Sequence, residues 1–101
     1  MHIEIDGRAA SVAQLSAAAP AGYGHFTAMQ VRNGRVRGLG LHLARLDAAN
    51  KEMFGAALDT AAVAGHIRHA LGEQTRDASV RVYVYEAPDG PAVMVLSLIH
   101  I

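Results

Sequence analysis

From His2 to Asp6 apolar and polar residues alternate, the period of a half-buried strand. The run meets Asp6-Gly7, a pair that tolerates positive φ and predicts a hairpin returning through Arg8-Ala9-Ala10. Ser11 to Ala21 is alanine-rich and reaches Pro20, a pattern compatible with a short helix or a loop. Phe26 to Arg32 reads as a strand with Phe26, Ala28 and Gln30 on one face and Thr27, Met29 and Val31 on the other. Asn33-Gly34 predicts a two-residue turn into Arg35-Val36-Arg37. The period then changes. Leu39, Leu43, Leu46, Ala49 or Asn50, and Met53 recur at helical spacing and predict a helix over Leu41 to Phe54, with Gly40 as N-cap and Gly55 as C-cap. Asp59 caps a second predicted helix, Thr60 to Leu71, with Val63, Ile67, Ala70 and Leu71 on one stripe and Gly72 after it. Ser79 to Glu86 alternates again, Val80, Val82 and Val84 against Arg81, Tyr83 and Tyr85. Pro88-Asp89-Gly90 turns the chain into an apolar strand over Ala92 to Leu98. Strands before and after a helix pair predict an α+β domain, an antiparallel sheet packed against two helices.

Composition narrows the function classes. The 101 residues fit one domain, and 51% apolar with 18% charged residues describes a globular chain. Nine basic residues balance nine acidic ones, so no general field attracts nucleic acid or anionic lipid, and any anion site must be local. The chain has no cysteine, which excludes a disulfide scaffold and a thiolate metal site. The two acids within Met1 to Asp6 do not suit a secretory signal, and no apolar run approaches the roughly 20 residues of a membrane helix. A cytoplasmic protein with no membrane or nucleic-acid partner is the expectation. The last strand ends without a polar finish, and Ser97-Leu98-Ile99-His100-Ile101 is similar to a translated sequencing-adapter tail. Both points favour a fragment, with residues 1–96 expected to be native and 97–101 a non-native tail.

Two segments carry a family resemblance: Tyr23-Gly24-His25-Phe26-Thr27-Ala28, leading through Asn33-Gly34 to Val36-Arg37, and Gly38-Leu39-Gly40-Leu41-His42-Leu43-Ala44-Arg45-Leu46. An aromatic-Gly entry, a Phe-Thr strand, a Gly hairpin and a His-x-x-Arg-Leu helix in this order resemble the small N-terminal domain of the class IV (fold type IV) pyridoxal-phosphate-dependent aminotransferases, a family that includes aminodeoxychorismate lyase. The resemblance implies pyridoxal 5'-phosphate as cofactor, an amino acid, keto acid or aminodeoxychorismate-like substrate, and a homodimer. It implies that Arg45 holds the cofactor phosphate, for which a planar guanidinium fork is suited. His42, three residues earlier on the same helix face, would orient the helix or the arginine. Tyr23, Phe26, Ala28, Arg81 and Tyr83 match substrate-pocket positions. Thr27 stands where branched-chain enzymes commonly carry Glu, which leans toward the lyase or D-amino acid branch. Gly40 replaces an Asp often found before the helix.

The family's cofactor-bearing lysine lies in a second, larger domain. The only lysine here, Lys51, falls on a polar side of its helix beside Glu52, away from Arg45. No catalytic residue is thus expected in this chain, which would contribute to a site and be inactive alone. The alternative is a non-enzymatic α+β binding or dimerisation module, with the apolar last strand in an interface. A third reading, metal binding through His42, His66 and His69, lacks a supporting Cys or other ligand in the sequence, and both histidines of the second helix are expected on a solvated face. Asp6 with Glu4, and Glu52 with Asp47, read as surface carboxylates. Gly38-x-Gly40 lacks the third glycine of a dinucleotide fingerprint.

Overall fold

The computed structural model describes residues 2–11, 24–73, 76–87 and 90–99. Its elements are β1 (His2–Ile5), β2 (Arg8–Ala9), β3 (Gly24–Arg32), β4 (Arg35–Val36), α1 (Leu39–Phe54), α2 (Thr60–Leu71), β5 (Ala78–Ala87) and β6 (Gly90–Ile99). The strands form one six-stranded sheet in the order β2-β1-β6-β5-β3-β4. Every pairing is antiparallel. The expected α+β class is the observed one, with both helices on one side of the sheet. The expected turn at Pro88-Asp89-Gly90 and the Ser11 to Ala21 segment fall largely outside the described residues.

Both hairpin turns follow from their residue types. Asp6 and Gly7 adopt φ of 51° and 79°, and Asn33 and Gly34 adopt 54° and 73°. Asp and Asn tolerate this left-handed region, and paired positive φ angles give the turn whose twist matches the strands. Gly24 has a different constraint. A Cβ there would stand 2.5 Å from the Val84 carbonyl oxygen, so only glycine admits the close approach of β3 and β5.

Alternation sorts the two sheet faces. Met29 and Val31 of β3, Ala78, Val80, Val82 and Val84 of β5, and Val95 of β6 are buried with Leu46 of α1 and Val63 and Ile67 of α2. The other face carries Phe26, Ala28 and Gln30, with Phe26 opposite Tyr83 and Ala28 opposite Arg81. β6 is an interior strand: β5 pairs along one edge and β1 along the other from Met94 to Ser97, and Val95 and Ser97 are buried. Ser97 pairs with both His2 and Val80, and the strand continues to Ile99.

The second helix matches its predicted bounds, and the Asp59 carboxylate accepts a hydrogen bond from the Ala62 N–H at 3.1 Å. The first helix starts earlier than predicted. Gly38, not Gly40, is its N-cap, in a left-handed conformation at φ 66°, and no side chain caps that end. Gly55 closes the helix at φ 68°, with its N–H bonded to the Lys51 carbonyl at 3.0 Å. Among the described residues no helix is long and apolar enough to cross a membrane.

Candidate functional site

β3 sends its odd-numbered residues toward α1, and two polar rungs join them. Thr27 Oγ1 and His42 Nδ1 share a hydrogen bond of 2.7 Å. His25 Nε2 donates to Asn50 Oδ1 at 3.1 Å, and Asn50 Nδ2 donates on to the Ala56 carbonyl at 2.9 Å. Because Asn50 spends its amide donor on Ala56, its oxygen faces His25, which fixes the Nε2–H tautomer. The Nδ1 atom of His25 is buried with no partner among the described residues. Sequence reasoning gave His42 a part in orienting the helix or the arginine; the structure bonds His42 to Thr27, a contact between α1 and β3. The His25–Asn50 rung went unread, because a His on a strand and an Asn on a helix give no local signal of meeting.

Arg45 lies between these rungs along α1. Its side chain is exposed, and among the described residues no hydrogen bond or ion pair holds it. It occupies the opposite flank of α1 from Asp47, whose carboxylate accepts the Leu58 N–H at 2.9 Å in the connection to α2. That hydrogen bond, then the ion pair with Lys51, holds the Asp47 carboxyl below its usual range. Arg45 thus faces away from α2. On that side β4 pairs with β3 only at Val31 and Arg32, so the edge of β3 from Gly24 to Met29 carries no neighbouring strand among the described residues.

Phe26, Ala28, Arg81 and Tyr83 come together on the open face, as the alternation predicts. The Phe26 and Tyr83 rings stack with centroids 5.3 Å apart. Phe26 is 59% exposed despite that contact, and Arg81 is exposed too. The small side chain of Ala28 lies directly opposite Arg81 and leaves space above the sheet. Arg45 and His42 belong to the helix layer, so the sheet separates them from this group. Tyr23 lies outside the described residues.

The carboxylates depart most from expectation. Glu4, read as a surface acid, is only 5% exposed. His2 Nε2 meets its Oε2 at 2.6 Å and His69 Nδ1 meets its Oε1 at 2.7 Å. His69 is thus not simply solvated, although its side chain remains 66% exposed. Asp6 accepts the Val93 N–H at 2.9 Å and ties the first turn to β6. Its charge adds to burial in raising the Tyr85 phenol above its ordinary value, burial being the larger cause. Lys51 is ion-paired with Asp47 at 3.1 Å and 59% exposed.

The fold is that of a segment of fold IV transaminases. A hypothetical aminotransferase from Mycobacterium tuberculosis in its PLP-bound form superposes with a TM-score of 0.72 at 17% identity, over 98% of this chain and 39% of that one. The 4-amino-4-deoxychorismate lyase from Pseudomonas aeruginosa superposes with a TM-score of 0.68 at 24% identity, over 98% and 40%. A fold IV-transaminase from Curtobacterium pusillum gives 0.64 at 19% identity, over 79% and 31%. The chain therefore spans between 31% and 40% of the length of these structures. No protein-family model and no curated protein matches it.

Proposed function

We propose that this chain is the N-terminal small domain of a pyridoxal-phosphate-dependent aminotransferase or lyase, acting on an amino acid, a keto acid or an aminodeoxychorismate-like substrate as a cytoplasmic homodimer. The observation that carries the reading is the grouping of Phe26, Ala28, Arg81 and Tyr83 on one open face of a sheet with this fold. When bound, the cofactor supplies an electron sink for charge at the substrate α-carbon. The residues of this chain fit a contributing part in that chemistry. Arg45 offers an exposed guanidinium, without a hydrogen-bond or ion-pair partner among the described residues, that is suited to a phosphate. No amine stands beside it, since Lys51 is engaged by Asp47 further round the helix.

The edge of β3 that carries no neighbouring strand among the described residues is where both layers can reach one ligand: Arg45 from the helix side, Phe26 and Ala28 from the open face. Arg81 binds a substrate carboxylate through its fork. The Phe26–Tyr83 stack forms a flat apolar wall for the substrate body, and Ala28 leaves it room. The two polar rungs hold α1 against β3 and so fix the position of Arg45 relative to that wall.

The test has two arms. The isolated chain mixed with pyridoxal phosphate is expected to show no lysine-linked absorbance, whereas the protein translated from the longest reading frame containing this chain binds the cofactor through a downstream lysine. A stable coloured complex at Lys51, or a native stop codon just after Leu96, contradicts the reading.

A further inference from the structure

We propose that His2, Glu4 and His69 form a proton-operated latch that holds the N-terminal β1–β2 hairpin against α2. Three observations point to it. Glu4 is a carboxylate at 5% exposure, a position that is costly for a charge unless partners compensate. Each of its oxygens is engaged by a different imidazole, at 2.6 and 2.7 Å. The imidazoles come from different elements, His2 from β1 itself and His69 from α2, 65 residues along the chain from Glu4. Glu4 therefore joins the hairpin to a helix that its backbone pairing does not reach.

Besides this cluster the hairpin is held by the burial of Ile5, by two hydrogen bonds between Asp6 and Val93, and by short strand pairings. β2 is two residues long, and β1 pairs with β6 over four. Other groups facing the carboxylate add no competing charge. β6 presents Val93, Val95 and Ser97 on this side, and β2 places Ala9 opposite Glu4 and Arg8 on the other face. Asp6 is engaged with the Val93 N–H in the turn. From α2, His66 sits over Gly7, where an added Cβ would come within 3.1 Å of its Nδ1, and Arg68 is exposed.

The latch is tightest when Glu4 is ionised and both imidazoles are imidazolium, because each contact is then an ion pair as well as a hydrogen bond. As a residue type histidine exchanges its charge between about pH 5 and 8; with neutral imidazoles the carboxylate keeps its charge but loses both counter-charges, so the two contacts weaken and the hairpin loosens. On the acid side Glu4 takes up a proton. Burial pushes its carboxyl up, but the hydrogen bonds and charges of His69 and His2 outweigh burial and hold it below 4.5. Its contribution is thus complete above that value and is lost as pH falls through the lower folded one.

Hydrogen exchange tests the latch on the chain as it stands. The Asp6 amide, bonded to Val93 at 2.8 Å, and the Ala10 amide, bonded to Ile3 at 3.2 Å, report on the hairpin. The Val82 amide in the middle of β5 reports on the whole fold. After correction for intrinsic exchange, protection of Asp6 and Ala10 relative to Val82 is expected to drop roughly five- to tenfold between about pH 6 and pH 8.5. Glu4→Gln and His69→Gln should each flatten that dependence. Should Glu4→Gln fail to fold, His69→Gln, with its ring largely in solvent, carries the test alone. A protection ratio that stays constant across this range, or keeps its slope in the folded variants, overturns the proposal.

Discussion

The two faces of the sheet are made from the same strands and do opposite things. On the helix side, Val31, Ala78, Val80 and Val82 have no exposure at all, and aliphatic side chains from both helices fill the space above them. On the other side the same strands present stacked aromatic rings and the exposed guanidinium of Arg81, with Phe26 59% exposed. One residue of alternation separates Val82 from Arg81 and Thr27 from Phe26. The larger core lies under the covered face; the open face buries Ile5 and Ala92 and carries the proposed recognition group. Arg45, on the outer flank of the covering helix, is the exception that this division has to accommodate.

Substitutions break or sharpen that contrast. The largest effect is expected at Leu46, which is 1% exposed: Leu46→Ala should lower unfolding free energy by about 2–5 kcal/mol in a urea titration, through lost burial and the cavity left behind. Gly24→Ala forces a Cβ onto the Val84 carbonyl and should cost about 1–3 kcal/mol by the same measurement, since backbone rather than a flexible side chain must move. Asp59→Ala removes the cap of α2 and should cost about 1 kcal/mol, loosening the cover without touching the core. Phe26→Ala, although it removes a large aromatic side chain, should cost under about 1 kcal/mol of stability, because only the stack with Tyr83 is lost. A loss at Phe26 as large as that at Leu46 would erase the distinction between the faces.

Much of this division was legible in the sequence because it rests on local periods. Val80, Val82 and Val84 alternate visibly with Arg81, Tyr83 and Tyr85, and Asn33-Gly34 and Asp6-Gly7 announce their turns by residue type. The boundaries of α2 follow from Asp59 and Gly72. The start of α1 was misjudged because its cap is a backbone conformation at Gly38 and no side chain marks it. Glu4 looked like a solvated acid because its partner His69 is remote in sequence and arrives only when α2 packs beside β1. The rungs from Thr27 and His25 to α1 were hidden for the same reason. Asp47 was half visible: its ion pair with Lys51 follows from i, i+4 spacing, but its bond to the Leu58 N–H depends on the path of the connection between helices. Of the candidate site, strand alternation assembled the open-face group. Periodicity alone could not suggest the role proposed for Arg45, which rests on the resemblance.

The most direct test of the account is the cofactor affinity of Arg45→Ala in the protein translated from the longest reading frame containing this chain, read by absorbance or fluorescence titration with pyridoxal phosphate. Loss of one charge-assisted phosphate contact predicts affinity weaker by roughly 10- to 100-fold with the fold intact. Affinity equal to that of the parent would contradict the placement of the phosphate at Arg45.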